Sequence, residues 1–311
     1  MKHSWRRAVL GIAAVAVLTL AAAGCGDDDG DGDGGSASGP TITLSSQDFG
    51  EQKTLAQAYG QYLQSRGFNV EIQKPIGSRT QIFKTIDAGK LDMVIDYAGS
   101  AASELDPDAK AGKPSPDPDA TAARLKAAIK AAGAPMVPAK IAEAQDANAL
   151  VANKTWAEEN NITKISDLAA IQDEVVFGGS PECVTRADCL PGYKSLYGIT
   201  FKDVKSLAYG PPLVEGLKSD DVQVIQYQTT GPEIADGTFV VLEDDKGLLS
   251  ADPVVPLIRD AVADEKLIDA LNSLSAELKT EDLAAWNKST DVDKEEPADV
   301  ATAWLQDKGL D

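Results

Sequence analysis

Residues 40–100 alternate short apolar runs with amphipathic stretches, and this pattern predicts strand, helix, strand, helix, strand. Polar and apolar residues alternate over 41–44, as expected of a half-buried strand. The next stretch, up to Gly67, places its apolar residues at i, i+3, i+4, i+7 and i+8, which makes one helical face. Residues 68–72 and 93–97 predict two more strands. Strands that alternate with helices indicate an α/β fold with a parallel sheet, whose ligands bind beyond the carboxyl ends of the strands.

Polar loops follow the first two predicted strands, at 45–50 and 76–80, and they carry the first candidate binding residues. Glu51 follows Asp48 by three residues, a spacing typical of a capping box at a helix start. Asp48 is therefore interpreted either as a helix cap or as a ligand contact. Because the carboxyl ends of parallel strands share one edge of a sheet, we expect the loops to converge with the end of the third strand. The candidates at this edge are Asp48, Phe49, Ser78, Arg79 and Tyr97.

The rest of the chain predicts a second α/β unit and a return to the first. Strands are predicted at 136–142, 174–177, 222–226 and 239–242, and longer helices at 121–132, 258–274, 280–286 and 297–308. We place a first domain at 40–147, a second at 148–245, and a return to the first at 246–311. Two crossings between domains form a hinge that can close over a ligand. The remaining aromatic residues are interpreted as core: Tyr193, Tyr197, Phe201, Trp286 and Trp304.

Residues 1–24 have the pattern of a signal peptide. Lys2, Arg6 and Arg7 precede an apolar run over 8–23, and Cys25 follows directly after Gly24. This arrangement predicts a lipoprotein signal, with the exported protein anchored through a lipid on Cys25 to the outer face of the membrane. An ordinary secretory peptide is the alternative. After Cys25, residues 26–39 are all Gly, Asp, Ser or Ala, with no side chain suited to a hydrophobic core. Residues 25–39 are therefore predicted to form a disordered acidic linker.

The charge and the short list of reactive residues narrow the function further. A net charge of −20 argues against a nucleic-acid partner, which needs clustered Lys and Arg. The only histidine is His3, and no nucleophile motif, phosphate loop or metal-ligand cluster is present. We expect no enzyme, no cofactor and no metal. Cys183 and Cys189 are interpreted as a disulfide of an exported protein, against the alternative of a redox or metal pair.

Several motifs occur together in a definite order. They are SSQDFGEQ, GSRTQIF, LDMVIDYAGS, AQDANALV, VIQYQTTGPEI, FVVLEDD and AWLQDKGL. From about residue 41 to the end, the chain resembles the substrate-binding proteins of osmoprotectant ABC importers, which take up glycine betaine, choline, carnitine and related quaternary amines. This resemblance implies a two-domain type II periplasmic-binding-protein fold of the Venus-flytrap kind. It also implies an ABC permease and its ATPase as partners.

The resemblance also implies which residues hold the ligand. A quaternary ammonium donates no hydrogen bonds, so its recognition needs aromatic faces or negative charge, and Phe49, Tyr97 and Tyr227 supply the faces. Arg79 suits a ligand carboxylate, and Thr230 shares the loop of Tyr227. Many relatives carry a Tyr where this chain has Asn148.

Asn148 offers no ring face, so the expected aromatic cage has fewer walls than in those relatives. Choline has few other partners for its charge, whereas Arg79 attracts a carboxylate. We therefore expect carboxylated betaines, such as glycine betaine and carnitine, to bind more tightly than choline. A ligand sensor or binding protein of the same fold, for another zwitterion such as an amino acid derivative, is the alternative function.

Overall fold

The computed structural model describes residues 39–311, apart from residues 107, 109 and 209. The predicted signal peptide, the predicted lipid-bearing Cys25 and most of the predicted linker lie outside the described residues. Within the described part, no helix combines the length and the apolar character needed to cross a membrane.

Ten strands are present in the described residues. They are β1 (Ile42–Ser45), β2 (Val70–Ile72), β3 (Met93–Tyr97), β4 (Met136–Pro138), β5 (Asn148–Asn153), β6 (Val176–Gly179), β7 (Asp203–Ser206), β8 (Val224–Gln228), β9 (Phe239–Val241) and β10 (Val254–Arg259). The first sheet has the order β2-β1-β3-β10-β4, and the second has the order β7-β6-β8-β5-β9.

Helices cover the sheets and connect their strands. They are α1 (Gly50–Ser65), α2 (Arg79–Asp87), α3 (Ala98–Leu105), α4 (Pro118–Ala132), α5 (Lys154–Glu159), α6 (Leu190–Gly192), α7 (Pro211–Lys218), α8 (Pro232–Ala235), α9 (Glu265–Ser275), α10 (Thr280–Asn287) and α11 (Pro297–Lys308). Short 3₁₀ turns span Ile165–Ala170, Pro181–Val184 and Asp260–Val262, and π turns span Tyr193–Tyr197 and Lys288–Val292. The chain therefore has an α/β fold with two separate sheets, as predicted.

The first sheet is mixed, so the expectation of a parallel sheet is only partly right. β1 runs parallel to β2 and to β3, whereas β10 runs antiparallel to β3 and to β4. The predicted helix at 258–274 is wrong at its start, because Ile258 lies in β10 and the helix begins at Glu265. The apolar run 254–258 is buried throughout, and periodicity alone does not separate such a run from a buried helix. Asp264 marks the true helix start, because its side chain accepts from Leu267 N at 2.8 Å.

Each sheet has its own core, and the core assignments made from the sequence are confirmed. In the second sheet Phe177 and Phe201 have ring centroids 5.1 Å apart, and Tyr193 and Tyr197 are buried in the same cluster. On the first sheet the rings of Trp286 and Trp304 meet edge to face at 5.2 Å. Such aromatic contacts add to the stabilisation that burial alone supplies.

Two segments cross between the sheets, and they run side by side. Gln145 on the first crossing forms an antiparallel bridge with Pro253 on the second. Asp146 N donates to the Asp252 carbonyl at 3.2 Å, and Val254 N donates to the Ala144 carbonyl at 2.9 Å. The crossings thus form a paired connection. The domain boundaries 40–147, 148–245 and 246–311 stay a prediction.

Candidate functional site

Two adjoining cavities lie between the sheets. The first, which we call the Arg79 cavity, has a volume of about 660 Å³ and is lined by Phe49, Arg79, Tyr97 and Asn148 among others. The second, the Tyr227 cavity, has a volume of about 620 Å³, and its lining includes Phe49, Tyr227 and Thr230. Phe49, Asp146 and Gln228 line both. We call the two cavities together the cleft.

Arg79 enters the cleft from the first turn of α2, and a buried acid already holds it. Its Nε lies 2.8 Å from Asp96 Oδ2, and its Nη2 lies 2.8 Å from Asp96 Oδ1. Asp96 is 1 % exposed. Two of the three guanidinium nitrogens are therefore engaged within the protein. A ligand carboxylate would find fewer free N–H donors than an unpaired guanidinium offers.

Tyr97, Glu51 and Asn287 form a buried hydrogen-bonded chain at the base of the cleft. The Tyr97 hydroxyl donates to Glu51 Oε1, and Asn287 Nδ2 donates to Glu51 Oε2 at 2.5 Å. Asn287 Nδ2 also lies 2.9 Å from the Thr230 carbonyl. Burial raises the pKa of the Glu51 carboxyl, against the opposing effect of these hydrogen bonds. These hydrogen bonds connect β3, α1 and α10 to the loop after β8.

Tyr227 and Thr230 supply the second-sheet side of the Tyr227 cavity. Tyr227 is 6 % exposed, and its hydroxyl donates to Glu233 Oε2 at 3.1 Å. A side chain at Gly231 would put a Cβ within 2.1 Å of the Tyr227 ring, so this glycine is required for the close packing. Thr230 Oγ1 lies 3.1 Å from Asp146 Oδ1.

Asn148 opens β5 and contributes a polar wall to the Arg79 cavity. Its Nδ2 lies 3.4 Å from Asp188 Oδ2, and Arg186 Nη2 contacts the same oxygen at 2.6 Å. Asp188 directly precedes Cys189, whose sulfur is bonded to that of Cys183. The disulfide therefore closes the loop that carries Asp188 to the cleft.

Asp252 lies on the return crossing at the edge of the Arg79 cavity. Its Oδ1 accepts from Gly99 N at 2.7 Å and from Ser100 N at 3.1 Å, and its Oδ2 accepts from Ser100 Oγ at 2.5 Å. Burial raises the pKa of this carboxyl to about 6, despite these donors. Asp252 thus holds the amino end of α3.

Two candidates from the sequence are not among the residues that line either cavity. Asp48 is an exposed acid paired with Lys53 at 3.1 Å, and the cap of α1 is Phe49, without a side-chain bond. The interpretation of Asp48 as a helix cap is therefore wrong. Ser78 caps α2, in a reciprocal capping box with Gln81. Their roles in ligand binding stay predictions.

Within the described residues, no group of three or more His, Cys, Asp or Glu side chains has an arrangement suited to a metal ion. The carboxyl groups of the cleft, which include Glu51, Asp146 and Asp252, instead form an acidic lining beside aromatic rings. Aromatic faces and carboxylates are the two kinds of group that bind an organic cation.

A family model described as the substrate binding domain of ABC-type glycine betaine transport systems matches residues 40–307. The chain belongs to this family.

Two glycine betaine-binding proteins are similar to the chain, one over most of its length and the other over about half. A glycine-betaine-binding protein of Pseudomonas aeruginosa is 27 % identical over 290 residues, which covers 88 % of this chain and 90 % of that protein. The glycine betaine-binding protein YehZ of Escherichia coli is 30 % identical over 179 residues, covering 51 % of this chain and 58 % of that protein. The family is one of transport components.

Solved structures show the same fold. A structure described as a glycine betaine/carnitine/choline ABC transporter has a TM-score of 0.77 at 20 % identity, and covers 86 % of this chain and 99 % of its own. The apo structure of Escherichia coli YehZ has a TM-score of 0.76 at 22 % identity. The match covers 88 % of this chain and 100 % of the YehZ chain. The fold is the type II periplasmic-binding-protein fold, as predicted.

In this member of the family, sequence reasoning missed three acids of the cleft. Glu51 and Asp146 stand inside quoted motifs, SSQDFGEQ and AQDANALV, where they had no assigned binding role. Asp252 lies in the predicted return crossing. Each acid has a position that could have indicated it: Glu51 lies in the first turn of α1, and the other two lie on the segments that cross between the sheets.

Proposed function

We propose that the protein is an exported, lipid-anchored binding protein that captures a betaine-type quaternary ammonium compound in the cleft and delivers it to an ABC permease. The observation that carries the proposal is the cleft itself, where Phe49, Tyr97 and Tyr227 lie beside the carboxyl groups of Glu51, Asp146 and Asp252. A methylated ammonium has no N–H to donate, so ring faces and negative charge are its natural partners.

The membership of the chain in the glycine betaine family supports this ligand class. The two crossings support capture, because a paired connection lets two sheets close over a small molecule. Arg79 is proposed to attract a ligand carboxylate through its charge. Because Asp96 holds Nε and Nη2, we expect this preference for carboxylated betaines over choline to be modest.

Calorimetric titration of the purified protein with glycine betaine, carnitine and choline tests the proposal. Tyr227→Ala is expected to weaken all of them by about twofold to thirtyfold, the loss corresponding to one aromatic face. Tyr227→Phe is the matched control: it keeps the ring, loses the bond to Glu233, and is expected to bind nearly as the wild type does. An absence of heat with all three ligands would contradict the proposed function.

A further inference from the structure

Asp146 lies at the junction of the two cavities. It lines both of them, together with Phe49 and Gln228. Its position is defined by the backbone, since Asp146 N donates to the Asp252 carbonyl of the other crossing at 3.2 Å. Oδ1 accepts from Thr230 Oγ1 at 3.1 Å. The carboxylate is therefore fixed at the centre of the cleft and on the connection between the sheets.

Within the described residues, no Lys or Arg forms an ion pair with Asp146 or with Glu51. Three cations line the same cavities, and two of them have other acids as partners. Arg79 is bound to Asp96 at 2.8 Å, and Lys218 lies 3.7 Å from Glu233. Arg124, on α4, donates instead to carbonyls and to a hydroxyl.

The remaining charged groups around Asp146 are acids. They are Glu51 on α1, Glu104 on α3, Asp188 in the disulfide loop, Glu215 on α7, Glu233 on α8, Asp252 on the return crossing and Asp291 in the π turn after α10. Of these, Asp188 is paired with Arg186, and Glu233 with Lys218. The Tyr97 hydroxyl adds a neutral group from β3. Acidic groups therefore outnumber basic ones around the junction, beside the ring of Phe49, which is 42 % exposed.

We propose that Asp146 is the counter-ion of the ligand's cationic head, and that through it the cleft selects an organic cation over a neutral molecule of the same shape. This inference rests on the proposed function and names the residue that enforces it. The positive charge of a quaternary ammonium is spread over its methyl groups, which can contact a carboxylate and a ring face together. Glu51, held by Tyr97 and Asn287, reinforces the negative potential.

The surroundings of Asp146 predict that the affinity for a cationic ligand depends on pH. Burial raises the pKa of its carboxyl well above the usual range, and the nearby Glu51 carboxylate raises it further. A bound cation stabilises the ionised form and lowers that pKa, so binding releases a proton wherever the free protein is protonated. Affinity must then fall as the pH is lowered.

The test compares choline with 3,3-dimethylbutan-1-ol, its neutral carbon isostere, by titration of the purified protein. Glycine betaine serves as a second cationic probe, and neither cation changes its own protonation between about pH 5 and about pH 8. The wild type is expected to bind choline at least about tenfold more tightly than the isostere, and Asp146→Asn is expected to lose about tenfold for both cations while leaving the isostere unchanged. The variant should also show a flatter pH profile.

Asp146→Glu and Glu159→Gln are the matched variants. The first retains the charge and should bind better than Asp146→Asn; the second removes an exposed surface carboxylate and should match the wild type. Equal wild-type affinities for choline and the isostere, or cation binding by a folded Asp146→Asn that equals the wild type at every pH, would overturn the inference and leave the proposed function standing. If the wild type binds no quaternary ammonium probe, both the inference about Asp146 and the proposed function are contradicted. If Asp146→Asn fails to fold, the wild-type isostere ratio and pH profile decide.

Discussion

Arg79 and Asp96 form an ion pair whose role in stability is separable from any role in binding. Asp96 is 1 % exposed and accepts from Arg79 and from Tyr97 N at 2.8 Å. Removing one member of a buried pair leaves the other charge without a partner, so Arg79→Ala is expected to lower the free energy of unfolding by about 3 kcal/mol. Urea denaturation measures this loss.

The double variant Arg79→Ala/Asp96→Ala is the control at the same position. It removes both charges, so it is expected to lose less stability than Arg79→Ala alone. Equal losses in the two variants would show that the stranded carboxylate is not the cause. The ratio of glycine betaine to choline affinity, taken in the more stable double variant, reports the contribution of the guanidinium to carboxylate preference.

At the level of elements, the amino end of α3 depends on a residue far away in sequence. Asp252 accepts from the backbone of Gly99 and Ser100, and its pKa of about 6 lies above the usual value of 3.8. Between these two values the folded state holds a proton that the unfolded chain has released, so the stability contributed by Asp252 falls as the pH rises through this window. Asp252→Asn still accepts at Oδ1 but does not titrate.

Denaturation curves between about pH 4 and about pH 7 test this, because Asp252→Asn is expected to gain stability relative to the wild type as the pH rises. Asp252→Ala is the contrasting variant. It loses the accepting oxygens and is expected to cost about 1 kcal/mol or more at every pH. Parallel curves for the wild type and Asp252→Asn would contradict the assignment of the titration to Asp252.

At the level of the whole molecule, a binding protein for an importer must stay near its permease. The signal peptide and linker predicted from the sequence imply a lipid on Cys25, and on that proposal Cys25→Ser is expected to release the protein into the medium. Fractionation and mass spectrometry of the mature amino terminus measure the change. The Cys183–Cys189 disulfide serves as a control for export, because its presence shows that the released protein was oxidised. A variant that stays on the membrane, together with wild type that retains Met1, would refute the anchor.

Local pattern was sufficient for the α/β class, the family, most elements and the aromatic cores. The apolar stripe of α1 and the bounds of α11 follow from spacings within one helix. Contacts between residues far apart in sequence decided the rest. They pair β10 antiparallel to β3, join Arg79 to Asp96 in an ion pair, and bring Glu51 and Asp146 into the lining of one cavity. Periodicity reports only which side of an element is apolar. Contacts between residues 17 and 236 positions apart arise when whole elements pack, so the acidic lining of the cleft was decided by the tertiary structure alone.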